Sequence, residues 1–202
     1  MDYRIVDDAG EPVPTGTPGE LLVRAEGDNP RDGFFSGYLK DEKATEEAWE
    51  GGWFHTGDVV YSDENGLLYF FDRKKSIVRR SGENIAVLEV EAALSKHPTV
   101  KASAVTPVPD DLRGEEVFAF IVESDAAGRG EPIERAIGIV EACGDYIAYH
   151  KLPGYIVFID KLPVSSTQKL QRGEIKTMAA KAVADGAALD LRKLKAAIRK
   201  AG

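Results

Sequence analysis

The first part of the chain alternates short apolar runs with turn-forming residues, a pattern that predicts a β-rich segment. A hairpin turn is predicted at residues 62–66, SDENG, because Asp, Asn and Gly favour tight turns between strands. One short helix from Asp41 to Trp49 is predicted to interrupt the strands, with Asp41 as its N-cap. The predicted strands are Arg4–Val6, Glu20–Arg24, Val59–Tyr61 and Leu67–Phe71.

After residue 75 the pattern becomes mixed helix and strand, so a boundary is predicted near Asp72 to Lys75. Val87, Val90 and Leu94 recur at helical spacing and predict a helix over residues 86–97, which His97-Pro98 ends. The other predicted strands are Ser76–Val78, Val100–Val108, Glu116–Val122 and Tyr155–Ile159. The other predicted helices are Pro132–Ala148, Arg172–Ala184 and Ala188–Lys200.

The composition limits the class of protein to which this chain can belong. The chain has 202 residues, of which 43% are hydrophobic, and this is enough for one ordinary domain or two small ones. A net charge of −8 argues against nucleic acid as a partner, because phosphate contacts need a basic surface. No run approaches the roughly 18 apolar residues of a membrane span, and we expect a cytoplasmic protein.

Metal and disulfide chemistry is not expected. The single cysteine, Cys143, excludes an internal disulfide and is interpreted as a buried structural thiol. His55, His97 and His150 stand apart without the spacing of metal ligands, and we expect structural roles for them.

Asp58 and Arg73 are the first candidate pair for binding chemistry. Two antiparallel strands that fold back at residues 62–66 return near their start, so both side chains could face one ligand. A carboxylate beside a guanidinium suits a ribose diol next to a phosphate. Taken singly, Asp58 is more often a cap or turn former, and the basic residues that begin at Arg73 are most often a solvated strand edge.

Two loops carry further candidates. The tight turn at residues 81–84, SGEN, includes Gly82, which would let the backbone approach a ligand, although a plain turn explains it as well. The hydroxyl-rich stretch at residues 163–172, PVSSTQKLQR, presents Lys169 just before a predicted helix. A lysine on such a loop can neutralise charge that develops on a phosphate or carboxylate, although most exposed lysines have no such role.

Together these residues resemble the C-terminal part of the adenylate-forming superfamily, which includes acyl-CoA synthetases, peptide-synthetase adenylation domains and luciferases. Four motifs agree in order and spacing. GWFHTGD at residues 52–58 is similar to the family's ribose-binding aspartate motif and FDRKK at 71–75 to its hinge. GEN at 82–84 is similar to its Gly-Glu turn, and residues 163–172 to its catalytic-lysine loop. RRSGENI at residues 79–85 resembles acyl-CoA ligases for fatty or carnitine-like acids.

The resemblance implies an α+β fold in two parts. Residues 1–73 would be the last, barrel-like β portion of a large AMP-binding domain, and residues 74–202 a small mobile α+β lid. The implied reaction joins a carboxylic acid to coenzyme A through an acyl-adenylate, with ATP and its Mg²⁺ as the energy source.

The resemblance also implies roles for single residues. Asp58 would bind the ATP ribose hydroxyls, Arg73 would contact ribose and phosphate, and Lys75 would be the pivot of domain rotation. Lys169 would bridge the carboxylate and the α-phosphate during adenylation. Gly82, Glu83 and Asn84 would line the pantetheine tunnel during thioester formation. This chain differs in having Gln168 where many relatives have Gly before the lysine.

The family's phosphate loop, acyl pocket and adenine-contacting motif all belong upstream of Tyr3. We therefore expect the isolated chain to be inactive and to need an N-terminal large domain. Two other possibilities stay open: a non-catalytic nucleotide- or CoA-binding module, and an interaction partner that completes a separately encoded large domain.

Overall fold

The computed structural model describes residues 1–128 and 130–201. The chain divides into two compact units, Met1–Lys75 and Ser76–Gly202, hereafter the N-terminal and C-terminal units. The division falls two residues beyond the domain boundary placed after residue 73. Both units combine helices with strands, which confirms the predicted α+β class.

The N-terminal unit is a four-stranded antiparallel sheet with one α-helix. Its strands run in the spatial order β1-β2-β3-β4, so that β1 and β4 are the two edges and the sheet is open. The barrel-like shape expected from the sequence is therefore corrected, since four strands are too few to close on themselves. The elements are β1 (Asp2–Val6), β2 (Gly19–Arg24), α1 (Glu42–Ala48), β3 (Phe54–Ser62) and β4 (Leu68–Arg73).

A few apolar side chains hold this sheet together. Val6, Leu22 and Trp53 form its buried cluster, and the guanidinium of Arg24 lies 4.3 Å from the centroid of the Trp53 ring. Asp41 caps α1 as predicted, because its Oδ1 accepts a hydrogen bond from Ala44 N at 3.0 Å. These contacts support the β3–β4 pair, on which Asp58 and Arg73 lie.

The C-terminal unit has a six-stranded mixed sheet. Its order is β10-β9-β8-β5-β6, with β7 paired to β8. Strands β8 and β9 are parallel, and the other pairs are antiparallel. The strands are β5 (Ile77–Arg80), β6 (Glu83–Ala86), β7 (Val100–Asp110), β8 (Gly114–Glu123), β9 (Tyr155–Phe158) and β10 (Leu189–Asp190). The helices are α2 (Val87–Leu94), α3 (Pro132–Cys143), α4 (Arg172–Ala184) and α5 (Arg192–Ala201).

Strand β8 is the centre of this unit because both of its faces are covered. Successive side chains along a strand point to opposite faces. Val117, Ala119 and Ile121 belong to the core cluster that contains α2 and α3, whereas Phe118 and Phe120 belong to the cluster that contains α4. The continuous apolar run of β8 thus reflects burial between two layers of helix.

Several predicted bounds are corrected in the C-terminal unit. Helix α2 stops at Leu94, short of residue 97, and α3 stops at Cys143, short of Ala148. Leu189–Asp190, predicted as helix, instead pairs with β9 as strand β10, and α5 begins only at Arg192. Glu83 and Asn84, predicted to lie in a turn, begin strand β6.

Cys143 is buried in the α3 layer, which confirms the predicted structural thiol. Burial raises its pKa to about 11, so the reactive thiolate is disfavoured. Within residues 1–128 and 130–201, no helix combines the length and the apolar character needed to cross a membrane.

Candidate functional site

Asp58 and Arg73 are direct partners across strands β3 and β4. Arg73 Nε lies 2.7 Å from Asp58 Oδ1, and the two side chains are 63% and 28% exposed, respectively. Arg73 Nη1 also donates to the carbonyl oxygen of Thr56 at 3.4 Å. The structure therefore brings together the first predicted pair, with the guanidinium open to solvent and the carboxylate partly sheltered.

The local backbone holds Asp58 in place. Gly57 has a φ of +70°, a conformation that glycine adopts without steric cost. The Thr56 hydroxyl donates to Leu21 O at 2.7 Å and accepts from Asp58 N at 3.0 Å. This hydroxyl fastens the start of β3 to β2 and determines where the carboxylate points.

Asp58 Oδ1 is the one buried side-chain polar atom without a hydrogen bond in the described part of the chain. The 2.7 Å contact with Arg73 is close enough for an ion pair, but it does not have the alignment of a hydrogen bond. An ionised carboxylate only accepts hydrogen bonds, and the Asp58 side chain as a whole is 28% exposed. The carboxylate is thus suited to accept from a diol.

Glu20 is a further residue near the end of β4, and sequence reasoning did not single it out for a role. Lys74 Nζ donates to Glu20 Oε2 at 2.6 Å, and His55 Nδ1 lies 3.3 Å from the same oxygen. Burial tends to raise the pKa of Glu20, but the hydrogen bonds and charges of Lys74 and His55 outweigh burial and lower it. An acid on the same strand face as a buried leucine, here Glu20 with Leu22, is the signal that points to such a residue.

Lys75, the predicted hinge, lies in the 3₁₀ turn Lys74–Ser76 at the end of the N-terminal unit. Its side chain is exposed. Lys74 is held by its ion pair with Glu20, so a fixed residue directly precedes the predicted pivot.

The predicted pantetheine segment begins at a two-residue hairpin turn. Ser81 and Gly82 connect β5 to β6, and Arg80 pairs with Glu83 across the turn. Both turn residues have positive φ, +53° and +85°, as a type I′ turn requires. No neighbouring atom lies within 4 Å of where a Gly82 Cβ would be, so the backbone conformation, and not close packing, accounts for this glycine.

Lys169 lies beside the base of a small closed loop in the C-terminal unit. Val164 and Leu170 form an isolated antiparallel bridge at its base. Inside the loop, Ser165 N donates to Lys169 O at 2.8 Å, and the Ser165 hydroxyl accepts from Lys169 N at 3.2 Å. The lysine backbone is therefore fixed while its side chain is exposed.

Gln168 adopts a φ of +62° beside this lysine. Left-handed backbone is unfavourable for a residue with a Cβ and is typical of glycine. This backbone conformation is one that glycine would adopt without steric cost, in keeping with the Gly that the family resemblance leads us to expect at this place.

A second residue that had no role predicted from the sequence, Glu91, anchors the end of the Lys169 loop. Arg172 Nη1 and Nη2 lie 2.6 and 3.0 Å from the two oxygens of Glu91, and Val105 N donates to Glu91 Oε1 at 2.8 Å. A bidentate arginine–carboxylate pair has a defined geometry. Glu91 of helix α2 therefore joins strand β7 to Arg172, the first residue of α4. Arg172 follows Lys169 by three residues.

No group of three or more His, Cys, Asp or Glu residues suited to a metal ion is present in the described ranges. Asp58, Arg73 and Lys75 belong to the N-terminal unit, whereas Gly82–Asn84 and Lys169 lie on separate segments of the C-terminal unit.

Comparison with known proteins supplies the family. Residues 89–169 match the AMP-binding enzyme C-terminal domain. The chain is 37% identical over 169 residues to 2-succinylbenzoate–CoA ligase of Geobacillus kaustophilus, covering 84% of this chain and 32% of that protein. It is 36% identical over 175 residues to long-chain-fatty-acid–CoA ligase of Yersinia pestis, covering 87% of this chain and 29% of that protein.

Among solved structures, o-succinylbenzoate CoA synthetase of Bacillus subtilis in complex with its acyl-adenylate intermediate superposes with a TM-score of 0.70. The identity is 29%, and the match covers 87% of this chain and 33% of that one. This chain thus spans about a third of the length of the proteins it matches. It carries the C-terminal domain of the AMP-binding, adenylate-forming enzymes, and the curated relatives that it matches are CoA ligases.

Proposed function

We propose that this chain supplies the ribose-binding strand pair and the lid of an AMP-forming acyl-CoA synthetase, an acid–thiol ligase. The observation that carries the proposal is the contact of Arg73 with Asp58, which places a partly exposed carboxylate beside an exposed guanidinium. A ribose diol would donate to the carboxylate, and the guanidinium would face the adjoining phosphate.

In the first half-reaction, a carboxylate oxygen of the acid attacks the α-phosphorus of ATP, and pyrophosphate leaves. Asp58 accepts from the ribose hydroxyls, and Arg73 contacts ribose and phosphate. Lys169 lies between the substrate carboxylate and the α-phosphate, where its ammonium stabilises the charge that develops. Mg²⁺ enters with the nucleotide phosphates, for which it has a strong preference.

In the second half-reaction, the sulfur of coenzyme A attacks the acyl carbonyl carbon, and AMP leaves. The lid turns about Lys75, which withdraws Lys169 from the adenylate. The Gly82–Asn84 segment then lines the tunnel for the pantetheine arm. The two half-reactions use two different segments of the same C-terminal unit.

The substrate would be a carboxylic acid. The acyl pocket that selects this acid is not among the motifs recognised in this chain. The two curated relatives described above are ligases for 2-succinylbenzoate and for long-chain fatty acids. Aromatic and long-chain aliphatic acids are therefore the first substrates to screen.

The test is acid-dependent exchange of pyrophosphate into ATP. We expect none from the purified 202-residue chain. We expect exchange once the chain is joined to the large domain of a curated relative. Robust exchange by the chain alone would overturn its proposed dependence on a large domain.

Lys169→Ala in the joined protein should lower exchange by at least 100-fold, because the cation that stabilises the departing charge is lost. Lys161→Ala is the matched control, since Lys161 is also an exposed lysine and precedes the loop. Equal exchange by the two variants would contradict the role of Lys169.

A further inference from the structure

A buried carboxylate in strand β8, Glu116, holds two cations from distant parts of the chain. Glu116, Lys195 and Arg80 are 0%, 1% and 5% exposed. Arg80 Nε lies 2.9 Å from both carboxylate oxygens, and Lys195 Nζ lies 2.6 Å from Oε1. Val117 N also donates to Oε1 at 2.9 Å.

Ions are costly to bury unless they are paired and hydrogen-bonded. Arg80 and Lys195 carry two positive charges against the one negative charge of Glu116, so the three buried side chains together have a net positive charge. Burying such a cluster gains little stability, so we expect it to have another role.

The shape of the cluster is fixed by backbone. A Cβ at Gly154 would lie 2.5 Å from Glu116 Cγ, so only glycine fits there. Gly154 N donates to Val117 O, and Leu191 N donates to Gly154 O, both at 2.8 Å. The carboxylate is therefore enclosed by β8, the start of β9 and the start of α5.

The cluster is joined to the hairpin turn through Arg80, the residue directly before Ser81. Three consecutive residues bond to the start of β8. Arg79 N donates to Glu115 Oε2 at 2.7 Å, Arg80 binds Glu116, and Ser81 N donates to Arg113 O at 2.9 Å. Ser81 has a Cβ and still adopts a left-handed φ of +53°, a conformation that persists only where its surroundings enforce it.

We propose that Glu116 is a positioning residue for the Ser81–Gly82 turn and that Lys195 links this turn to helix α5. Glu116 holds Arg80 and so fixes the end of β5, from which the turn starts. Lys195 connects helix α5 to the same carboxylate. The packing of α5 and the conformation of the turn therefore depend on each other. The inference rests on the proposed function only in that the turn leads into the pantetheine-lining segment.

The first test uses the 202-residue chain and measures amide hydrogen exchange by NMR. Glu116→Gln and Lys195→Met should each raise the exchange rate of the Ser81 amide at least 10-fold, while the α3 amides keep their wild-type protection. Glu123→Gln is the matched control, because Glu123 ends the same strand and pairs with Arg135 at 2.8 Å. This control should leave Ser81 unchanged.

Glu116→Gln leaves two buried cations beside a neutral amide and is the variant at risk of unfolding. Lys195→Met then decides, because it leaves the Arg80–Glu116 pair balanced and removes only the contribution of α5. Wild-type exchange at Ser81 in folded Lys195→Met would overturn the proposal.

The second test uses the chain joined to a large domain. Lys195→Met should raise the KM for coenzyme A at least 10-fold while acid-dependent pyrophosphate exchange stays near wild type. An equal loss in both half-reactions would indicate a merely structural role and overturn the inference. If Ser81 exchange changes as expected but the joined wild-type protein makes no acyl-CoA, the positioning inference holds and the proposed function fails.

Discussion

Arg73 Nε lies 2.7 Å from Asp58 Oδ1, and the two residues face each other across strands β3 and β4. Exposed ion pairs contribute little to stability because water and salt screen them. We therefore propose that this pair serves ligand binding more than stability.

Asp58→Asn should separate binding from stability. We expect the free energy of unfolding of the chain to change by less than about 1 kcal/mol, because the partner Arg73 is largely exposed. In the joined protein, the Kd for ATP should rise at least 10-fold, since an amide replaces one of the two carboxylate acceptors. Urea unfolding and calorimetry measure the two quantities.

The control for that variant is Asp2→Asn, which removes a comparable surface pair with Arg24 at 2.9 Å in the same sheet. It should leave the Kd for ATP unchanged. Equal weakening by both variants would mean that Asp58 acts through the fold and not through the nucleotide.

Gln168 allows a test of the backbone at the lysine loop. Its φ of +62° disfavours a β-branched side chain, so Gln168→Val should lower the free energy of unfolding by about 1 kcal/mol. Gln168→Gly relieves the backbone strain but raises the conformational entropy of the unfolded chain. The two effects on the free energy of unfolding should cancel to within about 0.5 kcal/mol. Urea unfolding measures both values. A glycine variant less stable than the valine variant would contradict the interpretation that the positive φ of Gln168 strains the loop.

Lys75→Pro tests the proposed hinge in the joined protein. Proline holds φ near −65°, which suits a 3₁₀ turn but prevents the large torsional change that a pivot needs. We expect pyrophosphate exchange to continue and thioester formation to fall at least 10-fold. Lys75→Ala, which keeps the torsional freedom, should preserve both half-reactions, and an equal loss of both in the proline variant would argue against a pivot at this residue.

Lys195 should make stability depend on pH. Burial lowers its pKa to about 8, although Glu116 acts in the opposite direction, and Arg80 and Arg113 lower it further. The unfolded chain has the ordinary pKa of 10.5 and so binds more protons between pH 8 and 10.5. Folding stability therefore falls as pH falls from 10.5 to 8, because the unfolded chain takes up the proton first, and it is recovered as pH rises from 8 to 10.5.

Lys195→Met removes this dependence. Relative to the wild type, its free energy of unfolding should fall by on the order of 1–2 kcal/mol between pH 7 and 9.5, as measured by urea unfolding. The raised pKa of Cys143 acts in the opposite direction above pH 9 but cancels in the difference between the two proteins. A difference that does not vary with pH would mean that Lys195 keeps an ordinary pKa in the folded chain.

Local features of this protein were predictable from its sequence. The β3–β4 hairpin and the side-by-side position of Asp58 and Arg73 follow from strand rise and turn chemistry, which act over a few residues. The N-cap of α1 and the burial of Cys143 follow in the same way from residue type. The motifs around Asp58 and Lys169 were sufficient to indicate the family.

Element ends and buried charges were decided only by tertiary contacts. Apolar residues continue past Cys143 to the buried Ile147, so periodicity alone extended α3 too far. Residues 189–190 form a strand because they pair with β9 at the edge of the sheet. Glu116 meets Arg80 across 36 residues of sequence and Lys195 across 79, and no local pattern encodes a pairing at such separations. The sequence by itself determined the family that this chain resembles, because its motifs are local, whereas packing around β8 determined which charged groups meet beside the Ser81–Gly82 turn.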